Sequence, residues 1–242
     1  MPASKRVMVA GRLARRLKAL GLGSYSAYWQ HLRRDHVEKQ TAVDLLTTNE
    51  TYFFREPRHF DFLRETIVPG HSRQGPLRLW SAACSSGEEA YSAAMVLAQA
   101  MGSRRWEILA SDISTQVLEK ARAGRYPMTR TDRIPQPCLK QHCLRGIGEA
   151  EGTLMLDPAL RSRVEVRQIN LNTTLPDVGL FDVIFLRNVM IYFNAETKQQ
   201  IVARLTSCLK PGGYLIIGHS ETLNGIQNRL QAIMPSVYRA VP

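Results

Sequence analysis

Residues 77–92 read LRLWSAACSSGEEAYS, and the order of residue types in this stretch decides the fold. Leu77–Ala83 is a short apolar run, the pattern of a buried strand. Ser81-Ala-Ala-Cys-Ser-Ser-Gly87 follows as a tight turn of small residues. Residues 87–101, GEEAYSAAMVLAQAM, are rich in Ala, Leu and Met and read as a helix. A strand that turns sharply into a helix is the opening unit of an α/β sheet.

The same alternation extends downstream. Trp106–Ile113 is a second strand, and Ser114 is placed to cap a helix running to about Ala123. Val164–Leu171 and Phe181–Val189 are further strands, the latter apolar on both faces. Ala195–Leu209 is a helix ended by Lys210-Pro-Gly-Gly213, and Tyr214–His219 and Ser236–Ala240 are the last strands. Runs such as VIFL and YLIIG belong in a sheet covered by helices on both sides, so the fold class is α/β with a doubly wound, mostly parallel sheet. Residues 125–163 interrupt the alternation with Pro127, Pro135, Pro137, Gly146, Gly148 and Gly152 and read as an inserted small subdomain, with Thr153–Leu156 as one strand.

Upstream, residues 8–46 have helical spacing. Val9, Leu13, Leu17 and Leu20 form one face, Gly21 and Gly23 break the pattern, Ser24 or Ser26 can cap a second helix, and 37–46 is a third. Pro57 sits in the first turn of a helix over 57–67. The organisation read from the sequence is a helical domain over 1–56 and a catalytic domain over 57–242, the latter carrying the insertion at about 125–163.

At 242 residues and 44% hydrophobic, the chain can bury a sizeable core. The formal charge is +11, and residues 1–40 alone carry a net +7. That asymmetry suits an acidic partner surface, nucleic acid or a membrane face, or a solvated basic helix face without a partner. No run approaches the ~18 apolar residues of a membrane-spanning helix. The basic N-terminus lacks the apolar core of a secretory signal, so a cytoplasmic protein is expected, without membrane insertion. The four cysteines form no C-x-x-C pair, and a disulfide framework is not expected. Cys138, His142 and Cys143 sit close together, but no second pair of ligands follows at suitable spacing, so no metal is expected.

Ligands of open α/β sheets bind at the carboxyl ends of the strands. The turn at 81–87 has a single glycine, so it is not a dinucleotide fingerprint. Glu88 and Glu89 stand where a pyrophosphate would have to sit. They repel that group and attract a cation, such as the amino group of the methionine part of S-adenosylmethionine; the alternative is simple stabilisation of a helix N-terminus. Which of the two faces inward is open at this level. Asp112 ends the second strand 25 residues after Gly87, the placement of an acid that binds ribose hydroxyls. Arg187, Asn188 and Tyr192 at the end of the fourth strand can orient a polar ligand, and Asn170-Leu171 ends on the same edge and can bracket an adenine.

Six stretches together carry a resemblance: TTNETYFFRE (47–56), LWSAACSSGEEAYS (79–92), ASDIS (110–114), INL (169–171), LRNVMIYF (186–193) and LKPGGYLIIGHSE (209–221). In order and approximate spacing the chain resembles the CheR-type chemoreceptor glutamate O-methyltransferases, from about residue 10 to the end. The resemblance implies a class I methyltransferase-like, Rossmann-like catalytic domain, a small helical N-terminal domain and an inserted β-subdomain. It implies S-adenosylmethionine as methyl donor and S-adenosylhomocysteine as product. By residue match, Asn49, Thr51, Arg55, Glu89, Asp112, Asn170, Leu171, Arg187 and Asn188 would contact the donor, and Arg55 and Tyr192 would lie nearest the methyl group as catalytic residues. The implied partner is the cytoplasmic helical region of a chemoreceptor. In the family the inserted subdomain can also dock a receptor's C-terminal tether peptide. The N-terminal domain is short for the family, and the stretch around PQPCLKQHC (135–143) matches loosely.

Two other classes of function compete. A nucleic-acid methyltransferase would suit the pI near 9.9, but no N-P-P-Y-type motif is present to clasp a flipped base. A sensor that keeps the pocket without turnover is opposed by the intact Arg55, Asp112 and Tyr192. A family member acting on a signalling protein outside motility is a further alternative. The glutamate-rich receptor target gives the basic helices a use, with Arg12, Arg15 and Arg16 as the expected contacts.

Overall fold

A computed structural model of the chain describes residues 5–72, 74–226 and 229–241. Three helices open it: α1 (Arg6–Ala19), α2 (Tyr25–Leu32) and α3 (His36–Leu46). They close on a small core of Leu13, Leu17, Tyr28 and Ala42. Ser24 caps α2 by accepting the Ala27 N–H, and Asp35 caps α3 by accepting from Val37 and Glu38.

Two of the arginines expected to face a partner are spent inside this bundle. Arg16 forks onto Glu38, which is 3% exposed and also accepts the Tyr28 hydroxyl at 2.7 Å. Arg12 donates to the carbonyls of Leu46 and Thr47, both at 2.8 Å, and so neutralises the C-terminal end of α3. Arg15 and Lys18 remain exposed.

Residues 47–56 then cross the molecule as an irregular strap. The helical segment beyond it starts as α4 (Arg58–Phe62), widens into a π-helical turn over Leu63–Ile67 and ends as α5 (Val68–Gly70). Pro57 precedes this segment as its cap rather than lying inside it.

The main sheet has seven strands in the order β6-β2-β1-β7-β8-β10-β9. Its elements in chain order are β1 (Leu77–Ser81), α6 (Glu88–Met101), β2 (Trp106–Asp112) and α7 (Thr115–Ala123), then, after the insertion, β6 (Val164–Gln168), β7 (Phe181–Leu186), α10 (Ala195–Ser207), β8 (Leu209–Ile217), β9 (Leu230–Met234) and β10 (Val237–Ala240). The first five strands in the sheet order pair in parallel, whereas β10 is antiparallel to β8 and to β9. From β1 the chain winds outward through β2 and β6, then returns to the other side of β1 with β7. Strand order therefore reverses at β1, which opens a crevice at the carboxyl ends. One apolar layer packs Phe60, Leu63 and α6 on one face of the sheet, and a second packs Ile201, Val202 and Leu205 of α10 on the other.

The insertion holds β3 (Arg125–Pro127), α8 (Gln136–His142), β4 (Cys143–Arg145), β5 (Thr153–Leu156) and α9 (Pro158–Arg161). Its three strands form a separate antiparallel sheet in the order β3-β5-β4.

Three local expectations are corrected. Ser114 occupies the cap position of α7, yet its hydroxyl makes no hydrogen bond among the described residues; Asp44 at the end of α3 accepts from both the Thr115 N–H (2.9 Å) and its hydroxyl (2.7 Å). β8 begins at Leu209 rather than Tyr214, because Pro211 and both glycines are absorbed by a register shift beside β7. β9 was not foreseen, and it joins β10 through the two-residue turn Pro235-Ser236, with Ser236 at φ 63°.

Candidate active site

At the crevice lies a cavity of about 700 Å³, within the usual range for small-molecule sites. The turn after β1 forms its floor. Cys84 donates to the Ser111 carbonyl at 2.8 Å, locking the turn to β2, and Gly87 takes φ 98° to start α6. A side chain at Gly87 would meet the Tyr126 hydroxyl, Ala121 and the Tyr91 ring at 2.9–3.1 Å, so only glycine fits both the dihedral and the space.

The two glutamates that open α6 diverge. Glu88 is fully buried toward the insertion, where it accepts the Ser86 hydroxyl at 2.6 Å and faces Arg130 at 3.8 Å. Glu89 lines the cavity; it accepts the Ser81 hydroxyl at 2.6 Å and is paired to Arg187 at 2.9 Å. Burial raises the Glu89 carboxyl above its ordinary range, with Arg187 and Ser81 opposing.

Asp112 ends β2 on the same wall and accepts from the Ser85 N–H at 2.9 Å through one oxygen and from the Ser114 N–H at 3.0 Å through the other. Each carboxylate oxygen has two lone pairs, so accepting capacity remains toward the cavity. Burial raises this carboxyl too, against those backbone donors. After β6, Asn170 and Leu171 line the far side; the Asn170 side-chain amide oxygen (Oδ1) accepts the Asn172 N–H at 2.9 Å, which holds the turn.

Arg187 leaves β7 4% exposed. Its guanidinium bridges Glu89 and Glu56, the latter at 3.0 Å, and donates to the Arg55 carbonyl. Its Nε–H is buried and has no partner among the described residues. Asn188, at φ 57°, donates from its side chain to Glu56, while its backbone N–H goes to Glu221 at 2.8 Å. Glu221 also accepts from Met190 and Gly218, so one carboxylate pins the turn after β7.

The strap closes the cavity from above. Asn49 receives the Ser85 hydroxyl on its carbonyl at 2.9 Å, and Thr51 is buried. Arg55 lines the cavity and donates to the Glu50 carbonyl at 3.0 Å. Tyr192, 45% exposed, stands at the mouth with the Lys5 ammonium 5.4 Å from its ring centre. All ten residues named from the sequence line this one cavity.

Two organising residues went unnamed at that level, Glu56 and Glu221, although each lies within one of the six stretches. Lys5 and Met8 of the N-terminal segment also reach the cavity. Glu56, His59 and His219 gather within 4.8 Å of one another, a spacing that could hold a cation, but Glu56 is already engaged by Arg187, Asn188 and the His219 N–H. Its carboxyl lies below its ordinary range: burial pushes it up, and Arg187 with the amide donors outweighs that.

The cavity suits a zwitterionic sulfonium ligand. Buried acids face where its ammonium and ribose hydroxyls would lie, and the orphaned Arg187 N–H calls for an acceptor such as a carboxylate. A doubly wound sheet with this pocket at its reversal point defines a class I, S-adenosylmethionine-dependent methyltransferase. Residues 49–238 match the family model described as CheR methyltransferase, SAM binding domain, and residues 1–47 match CheR methyltransferase, all-alpha domain. The chain is 43% identical over 238 residues to chemotaxis protein methyltransferase 2 of Pseudomonas aeruginosa, covering 97% of this chain and 85% of that one. It is 42% identical over 239 residues to the chemotaxis protein methyltransferase of Salmonella typhimurium, covering 97% and 82%. The chain belongs to the CheR methyltransferase family. No helix among the described residues is long and apolar enough to cross a membrane.

Proposed function

We propose that the chain acts in the cytoplasm, transferring the methyl group of S-adenosylmethionine to glutamate side chains in the helical signalling region of chemoreceptors and leaving methyl esters. The observation that carries the site assignment is the buried Arg187 bridge between Glu89 and Glu56, whose free N–H and flanking acids complement a donor with both charges. In this reading Glu89 and Asp112 hold the ammonium and the ribose, Asn170 and Leu171 flank the adenine, and Asn49, Thr51 and Asn188 complete the enclosure.

Bound in this cavity, the donor supplies an electrophilic methyl group on a positively charged sulfur. A glutamate acceptor has a pKa near ~4.3, so at neutral pH it is ionised and needs neither a general base nor a Lewis acid. The protein's task is alignment within ~3–3.5 Å. Arg55 receives the acceptor carboxylate, and the Tyr192 hydroxyl at the mouth donates to its second oxygen. The strap keeps water off the site.

The exposed basic face of α1, with Arg15 and Lys18, steers glutamate-rich helices toward the mouth. β4 lies at one edge of the inserted sheet, with Leu144 46% exposed, and can accept an extended tether peptide as an added strand.

The test is incubation with labelled donor and host membranes. Base-labile label on a receptor-sized band supports the reading, and label on RNA, or none on protein, rejects it. Calorimetry with S-adenosylhomocysteine checks the pocket separately.

A further inference from the structure

We propose that Tyr52 and Arg133 are positioning residues for Arg55, so that the inserted subdomain holds this arginine in place at the cavity. The inference rests on the methyl-transfer reading above and adds the part that fixes its key cation.

Arg55 is weakly held by its own neighbourhood. Its side chain makes one hydrogen bond, to the Glu50 carbonyl five residues away, and it has no acidic partner among the described residues. Phe54 and Glu56 on either side of it have φ of 54° and 57°, a left-handed region that side-chain-bearing residues seldom adopt. Such a backbone persists only where its surroundings over-determine it.

Much of that support comes from the insertion. Arg130 donates to the Thr51 carbonyl at 2.8 Å. Phe53 is fully buried and meets the Tyr126 ring edge-on at 4.9 Å. Arg133 lies over the Tyr52 ring at 4.4 Å, and Arg55 lies over the same ring at 5.7 Å. The main sheet layer anchors the strap as well, through Ser92, which accepts the Phe54 N–H at 2.9 Å, Ser85, which donates to the Asn49 carbonyl, and Arg187, which donates to the Arg55 carbonyl. Three consecutive strap residues are therefore gripped by Arg130, Arg133 and Tyr126, all within the insertion.

The column Arg133–Tyr52–Arg55 does more than pack. Each guanidinium is drawn to the ring's negative face, which gives both a preferred location without neutralising either. Arg55 keeps its full charge for an incoming carboxylate while losing the freedom of a long side chain. Freedom removed in advance lowers the cost of alignment at the reactive moment.

The experiment uses the full chain, a receptor cytoplasmic fragment at saturating concentration and labelled donor. Tyr52→Ala and Arg133→Ala are each expected to lower kcat about ten-fold, with donor affinity by calorimetry and Tm close to the parent's. Tyr52→Phe keeps the ring and should keep kcat within about two-fold of the parent. Arg133 is exposed, so its replacement does not threaten folding. An Ala variant with the parent's kcat overturns the proposal. So does Tyr52→Phe falling as far as Tyr52→Ala, or donor affinity dropping in step with kcat, which would mark a structural role. An active parent with inert substitutions sinks this proposal alone, whereas a parent that methylates no receptor sinks the underlying reading and this proposal with it.

Discussion

Arg187 Nη1 and Glu89 Oε2 lie 2.9 Å apart beneath the cavity, and the same guanidinium reaches Glu56 at 3.0 Å. One buried cation thus joins the sheet's central turn to the strap. Arg187→Met would leave two carboxylates buried without their partner, at a cost of about 3–5 kcal/mol. Urea unfolding should show that loss together with abolished donor binding, whereas Glu89→Gln, which keeps the shape, should remain folded and bind the donor about ten-fold more weakly.

Asp112 combines two tasks, holding the Ser85 and Ser114 amides and facing the cavity. Asp112→Asn turns one acceptor into a donor against those amides. Donor and product affinities should both fall by about ten- to a hundred-fold in calorimetry. Equal affinity in parent and variant would remove Asp112 from the ribose role.

His59 gives the chain an acid-sensitive interior. The Ser236 hydroxyl donates to the Pro235 carbonyl, so the His59 Nε2–H donates to Ser236 at 2.7 Å. Burial, helped by Arg187 and opposed by Glu56, pulls its pKa from 6.5 to about 3. Between those values the unfolded chain binds one more proton than the folded chain. Stability is therefore full above pH 6.5 and falls on acidification by about 1.4 kcal/mol per pH unit toward pH 3. His142, also held low by burial, adds to the slope in the same direction. Glu56, lowered below its ordinary value, contributes stability that begins to be lost as the pH falls through the ordinary glutamate range and adds to the slope there. His59→Gln should flatten the dependence of Tm on pH between about 6.5 and 4.5 without abolishing it.

The basic face separates into structural and free charges. Arg15→Glu with Lys18→Glu should slow receptor methylation by about ten-fold at low salt and converge on the parent at high salt, with Tm unchanged. Arg16→Ala should instead lower Tm, because Glu38 then stays buried with only Tyr28.

The alternation of strands and helices was legible because each strand is a continuous apolar run with a turn behind it. β9 was not, since LQAIM has no alternation and its turn to β10 is Pro-Ser rather than a glycine pair. The ten cavity residues were legible because they sit in short, dense motifs, and the pocket gathers all of them. Local reading could not say which of Glu88 and Glu89 turns inward, because the answer lies in Ser81 and Arg187 on one side and Ser86 and Arg130 on the other. Glu56 escaped notice for a similar reason: its partners Arg187 and Asn188 are more than a hundred residues away. Ser114 sits at the cap position of α7 as read, but the capping bond to Thr115 comes from Asp44 of α3.

That last exchange reaches beyond helix ends. Because Asp44 holds the start of α7, the helical bundle is bolted to the wall of the cavity instead of swinging on a tether. If the basic face of the bundle holds the receptor as proposed above, the distance from Arg15 and Lys18 to the chamber's opening acts as a fixed gauge. A long rod-like target gripped at the bundle would present only the carboxylates that fall one gauge-length away, so the choice among otherwise equivalent glutamates becomes a matter of measurement along the rod.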